Sequence, residues 1–171
     1  ILQLLSYFRL TLQSLNTHNY INMNDNRILN ILLADDDDDD ALLFKEALQH
    51  LMVKANLIIA ENGHQLLTQL SISNDNPDII FLDMNMPIKN GLECLSEIRS
   101  IEKYVRVPII ILSTSVADYL LHAAHQAGAN LYIQKPTSFS KLIQIIEKCL
   151  SLRLDIVPAP PLESFLVVSA H

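Results

Sequence analysis

From Arg27 onward, short apolar runs alternate with segments of helical period. The runs are Ile28 to Ala34, Leu57 to Ala60, Ile79 to Leu82, Ile109 to Leu112 and Leu131 to Ile133. Each is too short for a helix and rich in Ile and Leu, the composition of strands buried on both faces. Between them, Leu43, Phe44, Ala47, Leu48 and Leu51 repeat at helical spacing. Leu66, Leu67 and Leu70 mark a second helix, Leu92, Leu95 and Ile98 a third, and Leu120, Leu121 and Ala124 a fourth that stops at Gly128. A fifth starts near Ser138 and carries Leu142, Ile145, Ile146 and Cys149. Strand and helix in strict alternation predict an α/β fold, a doubly wound five-stranded parallel sheet with helices on both faces. Five strands of this kind most often take the order 2-1-3-4-5.

This domain is expected to run from residue 27 to 151, flanked by an extension, 1–26, and a Pro-containing tail, 152–171. Residues 1–22 read either as an upstream extension foreign to the domain or as an amphipathic helix that packs on a partner. Arg9 interrupts their apolar character and no small-residue cleavage pattern follows, so neither a signal peptide nor a membrane anchor is expected. In the tail, Pro158, Pro160 and Pro161 break any helix ahead of the apolar stretch Phe165 to Val168. That stretch is either a loose terminus or a segment that docks, as an added strand, on its own domain or a neighbour.

The chain has 171 residues, about one domain's worth, which leaves little room for an output domain. Half the residues are hydrophobic and 18% are charged, as a filled core requires. A formal charge of −7 and the lack of any Lys/Arg cluster argue against direct nucleic-acid binding. Cys94 and Cys149 have no C-x-x-C spacing, so free thiols in a reducing, cytoplasmic setting are expected.

In a doubly wound sheet, ligands bind beyond the carboxyl ends of the strands, near the point where strand order reverses. Here the first strand ends in Asp35 and Asp36, the third in Asp83, the fourth in Ser113 and the fifth in Lys135. Every run but the second thus finishes on a chemically capable side chain at one rim. Three converging carboxylates raise one another's pKa unless a cation sits among them, and a hard ion with oxygen ligands, Mg²⁺, resolves the conflict. Mg²⁺ keeps open positions for a phosphoryl oxygen, and a carboxylate can accept a phosphoryl group as an acyl phosphate. Lys135 would balance the added charge, and the Ser113 hydroxyl could donate to a phosphoryl oxygen.

Several motifs carry a resemblance: A-D-D at 34–36, F-L-D-M-N-M-P at 81–87, N-G at 90–91, L-S-T-S at 112–115, Q-A-G-A-N at 126–130 and Y-I-Q-K-P at 132–136. In this order and at these intervals they resemble the response-regulator receiver family of two-component signalling, over about residues 27 to 150. The resemblance implies a flavodoxin-like receiver fold with Asp83 as phosphoacceptor. It implies that Asp36 binds Mg²⁺ directly, Asp35 mainly through water, and Asn85 through its main-chain carbonyl. Ser113 and Tyr132 would form a switch pair, the hydroxyl drawn to the phosphoryl group as the ring turns inward. Thr114, next to Ser113, competes for that role, though spacing to Lys135 favours Ser113. A cis bond between Lys135 and Pro136 is also implied. The implied phosphate donor is a histidine kinase or histidine phosphotransfer protein. The face of the fourth helix, fifth strand and fifth helix is the family's usual surface for a dimer or a downstream partner. Such a protein is no enzyme beyond Mg²⁺-dependent self-phosphorylation and self-dephosphorylation.

Other readings compete residue by residue. Asp37 to Asp40 read as solvent-facing or helix-capping. The acidic run also imitates a calcium loop, with Asp35, Asp37, Asp39 and Glu46 at its first, third, fifth and twelfth positions, but Asp40 stands where glycine is needed. His122 and His125 lie one turn apart without a third ligand nearby and read as surface residues of the fourth helix. A phosphohydrolase of the haloacid-dehalogenase type uses similar groups, yet there the nucleophilic Asp comes first and the acidic pair last. A receiver-like module that binds a partner without phosphorylation is the third reading, and the intact Asp36, Asp83 and Lys135 set argues against it.

Overall fold

The computed structural model describes residues 28–73, 75–151 and 161–167; the extension 1–26 lies outside them. Strands β1 (Leu29–Ala34), β2 (Ala55–Ala60), β3 (Ile79–Asp83), β4 (Ile109–Ser113) and β5 (Leu131–Gln134) alternate with helices α1 (Asp38–His50), α2 (Gly63–Ile72), α3 (Gly91–Ser100), α4 (Asp118–Gln126) and α5 (Phe139–Ser151). The sheet is parallel throughout. Its order is the expected 2-1-3-4-5 with one addition. A short helix, α6 (Leu162–Phe165), leads into a two-residue strand, β6 (Leu166–Val167), that pairs with β5 and makes the sheet six-stranded.

Side chains alternate across the strands and divide the core into two layers. Ile31, Leu33, Phe81, Ile110 and Ile133 face α1 and α5, packing with Phe44, Leu48, Ile146 and Leu150. Leu32, Ile80, Leu82, Ile109 and Ile111 face the other way, with Leu66 of α2, Leu95 and Ile98 of α3, and Leu121 of α4. Central β3 and β4 are buried at every position, which accounts for their unbroken apolar runs. At the edge, β2 is only partly buried, and its start at Ala55 and Asn56 is set by pairing with Leu29 and Asn30 of β1.

Helices α1, α2 and α3 are capped by their own sequence. Asp37 accepts from the Asp39 and Asp40 amides, and Asn62 from the Gln65 amide. Asn90 and Glu93 form a reciprocal capping box that starts α3. Gly91 follows because a Cβ there would meet the Asp83 carbonyl oxygen at 2.3 Å. Gly128 closes α4 with φ 89°, a conformation suited to glycine.

Arg99 ties α3 to the start of β5. It donates to the carbonyls of Gly128, Tyr104 and Val107 and to Asn130 Oδ1, all at 2.8–3.0 Å. Arg99→Met keeps the aliphatic stem and strands these acceptors, so stability is expected to fall by about 2–3 kcal/mol. Urea unfolding reads this directly; a loss below about 0.5 kcal/mol would mean that water replaces the guanidinium at no cost.

The tail settles on the second layer. Phe165 is fully buried, 6.2 Å from the Tyr132 ring and edge-on to His125 at 5.0 Å. His125, expected at the surface, is therefore partly covered, whereas His122 is exposed. No peptide bond among the described residues is cis, so Lys135–Pro136 is trans, against the expectation. The trans isomer is the lower in energy for X-Pro, and it already delivers Lys135 to the rim.

Candidate functional site

Among the described residues, the buried polar or charged residues are Asp35, Asp83 and Ser113, at 3%, 3% and 0% exposure. They stand at the carboxyl ends of β1, β3 and β4. Parallel pairing holds these ends level: Ala34 pairs with Leu82, Asp83 with Leu112, and Ser113 with Gln134. The Lys135 amide donates to the Ser113 carbonyl at 2.8 Å, which continues the β5 ladder to the lysine itself.

Lys135 joins the site together. Its Nζ lies 2.7 Å from Asp83 Oδ1, 2.8 Å from Asp40 Oδ2 and 2.9 Å from Asp35 Oδ2. The remaining carboxylate oxygens take backbone donors, Asp83 Oδ2 from the Asn85 amide at 2.6 Å and Asp35 Oδ1 from the Asp37 amide at 3.2 Å. Burial works against the Lys135 charge, but Asp40, Asp83 and Asp35 together outweigh it and hold its pKa above the ordinary value. Burial likewise pushes Asp35 up, and Lys135 does not fully offset it. One ammonium shared among three carboxylates cannot compensate each of them in full.

Asp40 was expected to face solvent or cap a helix; its side chain is 43% exposed and in addition reaches Lys135 at the rim. The signal was in the helical period: Asp40, Phe44 and Leu48 follow one another at intervals of four, so Asp40 stands on the same face of α1 as buried Phe44 and Leu48, at its partly exposed end. Inside a run of six aspartates, composition hid that register.

The other expected residues fall as follows. Asp36 is exposed. Ser113 is buried and Thr114 exposed, which favours Ser113 of the two hydroxyls. Tyr132 is fully buried, and its hydroxyl donates to the Ser115 carbonyl at 2.8 Å. Burial raises its phenol above the ordinary range, against a hydrogen bond with Ser113. The two residues expected to switch together are thus in contact. Among the described residues no three His, Cys, Asp or Glu side chains are gathered as a metal ion requires. Cys94 and Cys149 are buried free thiols, pushed up by burial to about 11 and about 12, and so are not nucleophiles at neutral pH.

A parallel sheet whose reversal point carries an aspartate paired with a lysine and flanked by acids is the arrangement expected of the receiver class. Residues 31–147 match the family described as response regulator receiver domain, and the chain belongs to that family. It is 29% identical over 135 residues to "Response regulator Rcp1" of Synechocystis, covering 76% of this chain and 92% of that protein. A Campylobacter jejuni "Chemotaxis protein CheY homolog" is 33% identical over 95 residues, 56% of this chain and 72% of that one. Among solved structures, the phosphorylated cyanobacterial phytochrome response regulator RcpA superposes with a TM-score of 0.68 at 30% identity, covering 72% of this chain and 91% of that chain. The Mn²⁺-bound form of Rcp1 superposes at 0.66 with 28% identity, covering 77% and 99%. Among the described residues no helix is long and apolar enough to cross a membrane.

Proposed function

We propose that this receiver accepts a phosphoryl group on Asp83 from the phosphohistidine of a histidine kinase or histidine phosphotransfer protein, and passes the change of state to a partner protein. The observation that carries this reading is the buried bridge from Lys135 to Asp83 and Asp35. An Asp83 carboxylate oxygen bonds to phosphorus as the phosphorus–nitrogen bond breaks, and the electron pair returns to the imidazole, which takes up a proton from solvent. Lys135 meets the added charge, and the Asn85 amide holds the acceptor's second oxygen in place. The Ser113 hydroxyl, buried beside the rim, donates to a phosphoryl oxygen, and Tyr132, whose ring is already inward, would respond through its hydroxyl bond to the Ser115 carbonyl.

Asp35 and Asp83 bring buried carboxylate oxygens of the kind a divalent cation takes, and Asp36, exposed one residue on, would turn inward to complete the set. Three carboxylates share one ammonium, leaving two negative charges uncompensated, and every donor is a hard oxygen. Asp35, Asp36, Asp83 and the Asn85 carbonyl would hold Mg²⁺, whose chemistry when bound is to neutralise the phosphoryl oxygens. The Mn²⁺-bound form of Rcp1 supports a divalent site of this kind. The α4–β5–α5 face, along whose β5 edge α6 and β6 lie, is the surface proposed for the partner or a second copy, which would dock on its helices rather than on the β5 edge, and the cytoplasm, where phosphohistidine donors form, is the proposed compartment.

Incubation with acetyl phosphate and Mg²⁺ is expected to add about 80 Da to the chain, with the label mapping to Asp83. No gain, or a label on another residue, would remove the assignment.

A further inference from the structure

We propose that Asp40 is a positioning residue for phosphoryl acceptance, a releasable anchor that holds Lys135 until the phosphoryl group arrives. The proposal rests on the reading of Asp83 as phosphoacceptor.

A lysine ammonium has three N–H donors, and here three carboxylates surround it at 2.7–2.9 Å. None is left for an incoming phosphoryl oxygen, so one contact must be given up. Asp83 is the acceptor itself. Asp35 is 3% exposed, and no water can replace the ammonium there, so losing it strips a buried charge of its hydrogen-bonded partner. The Asp40 side chain is 43% exposed, and water can replace the ammonium there at small cost. Release therefore falls on Asp40.

Helix α1 keeps the anchor in place. The Asp40 amide is capped by Asp37 Oδ1 at 3.2 Å, and a carboxylate in the first turn is favoured by the helix dipole. Asp40 and Lys135 also line one side of a cavity of about 120 Å³ whose other walls include Phe44, Phe139 and Leu142. The released side chain thus has open space beside it. Asp40 touches no reacting atom and acts on acceptance through Lys135.

The step to be measured is balanced without a proton: an Asp83 oxygen bonds to the phosphorus of acetyl phosphate, and acetate leaves with the pair from the broken phosphorus–oxygen bond. The wild-type chain, Asp40→Asn and Asp40→Glu are compared by intact mass over a series of acetyl phosphate concentrations at fixed Mg²⁺. In Asp40→Asn the contact loses its charge and the ammonium is held more weakly, so the half-saturating concentration is expected to fall about three- to tenfold, the weight of one partly exposed ion pair, while the limiting rate changes less. Asp40→Glu, which restores charge and reach, should behave as the wild type. An unmoved half-saturation in Asp40→Asn overturns the proposal alone, and so does an equal shift in both variants, which would point to packing rather than charge. A wild-type chain that takes no label overturns the phosphoacceptor reading together with the proposal.

Discussion

Asp83→Asn is expected to abolish the gain of about 80 Da with acetyl phosphate and Mg²⁺. A carboxamide oxygen carries no full negative charge to attack phosphorus, and its amide nitrogen, with the lone pair delocalised into the carbonyl, cannot stand in for it. The change is nearly isosteric, and the Asn side chain can still accept from the Asn85 amide, so the fold should persist. Lys135 keeps Asp35 and Asp40, and the rim loses one buried negative charge, so stability at neutral pH should hold or rise. Equal urea midpoints with no label on the variant would isolate the chemistry from the fold. Label persisting on the variant would move the acceptor elsewhere, Asp35 first.

Lys135→Met should act on stability as strongly as Asp83→Asn acts on chemistry. It leaves Asp35 and Asp83 buried without their cation, and breaking a buried pair from one side costs about 3 kcal/mol; the exposed Asp40 contact adds little. The pH dependence has a definite sign. Asp35 has a raised pKa in the folded state, so its contribution is full below its ordinary 3.8 and is lost as pH rises through the raised value. Without Lys135 that rise grows, so the deficit of the variant should be large at pH 7 and shrink as pH falls and Asp35 takes up a proton. Lys135 itself contributes in full below 10.5, and its contribution is lost as pH rises through its still higher folded value. The variant should therefore also lack the wild type's alkaline loss. Urea unfolding from pH 4 to 11 tests both limbs, and a deficit that does not vary with pH would contradict the account.

The strands and their order were legible because a parallel sheet covered on both faces needs continuous apolar runs, and β3 and β4 meet that need at every residue. The rim was legible because those runs end on Asp35, Asp83, Ser113 and Lys135. Asp40 escaped notice because it lies in a run of identical residues, where only the α1 stripe to Phe44 and Leu48 tells one aspartate from the next. The strand β6 was only one of two open readings of the tail, for another reason. Two residues carry no period of their own, and what fixes them is Phe165 filling the space beside Tyr132 and His125, a contact between distant parts of the chain. The burial of Tyr132 is hidden in the same way, since part of its cover comes from that segment.

The pairing of β6 with β5 also bears on solubility. A parallel sheet left open at β5 would offer a row of free backbone donors and acceptors to any passing strand, the usual starting point of edge-to-edge aggregation. Laid along that row, the protein's own segment puts a two-residue strand at the margin, too short a template to recruit another sheet. At the opposite margin, β2 is guarded by polarity, with exposed Lys54 beside its start and exposed Asn56 within it. The segment beyond the last crossover thus protects the molecule from its own copies at the edge where the sheet would otherwise stay open.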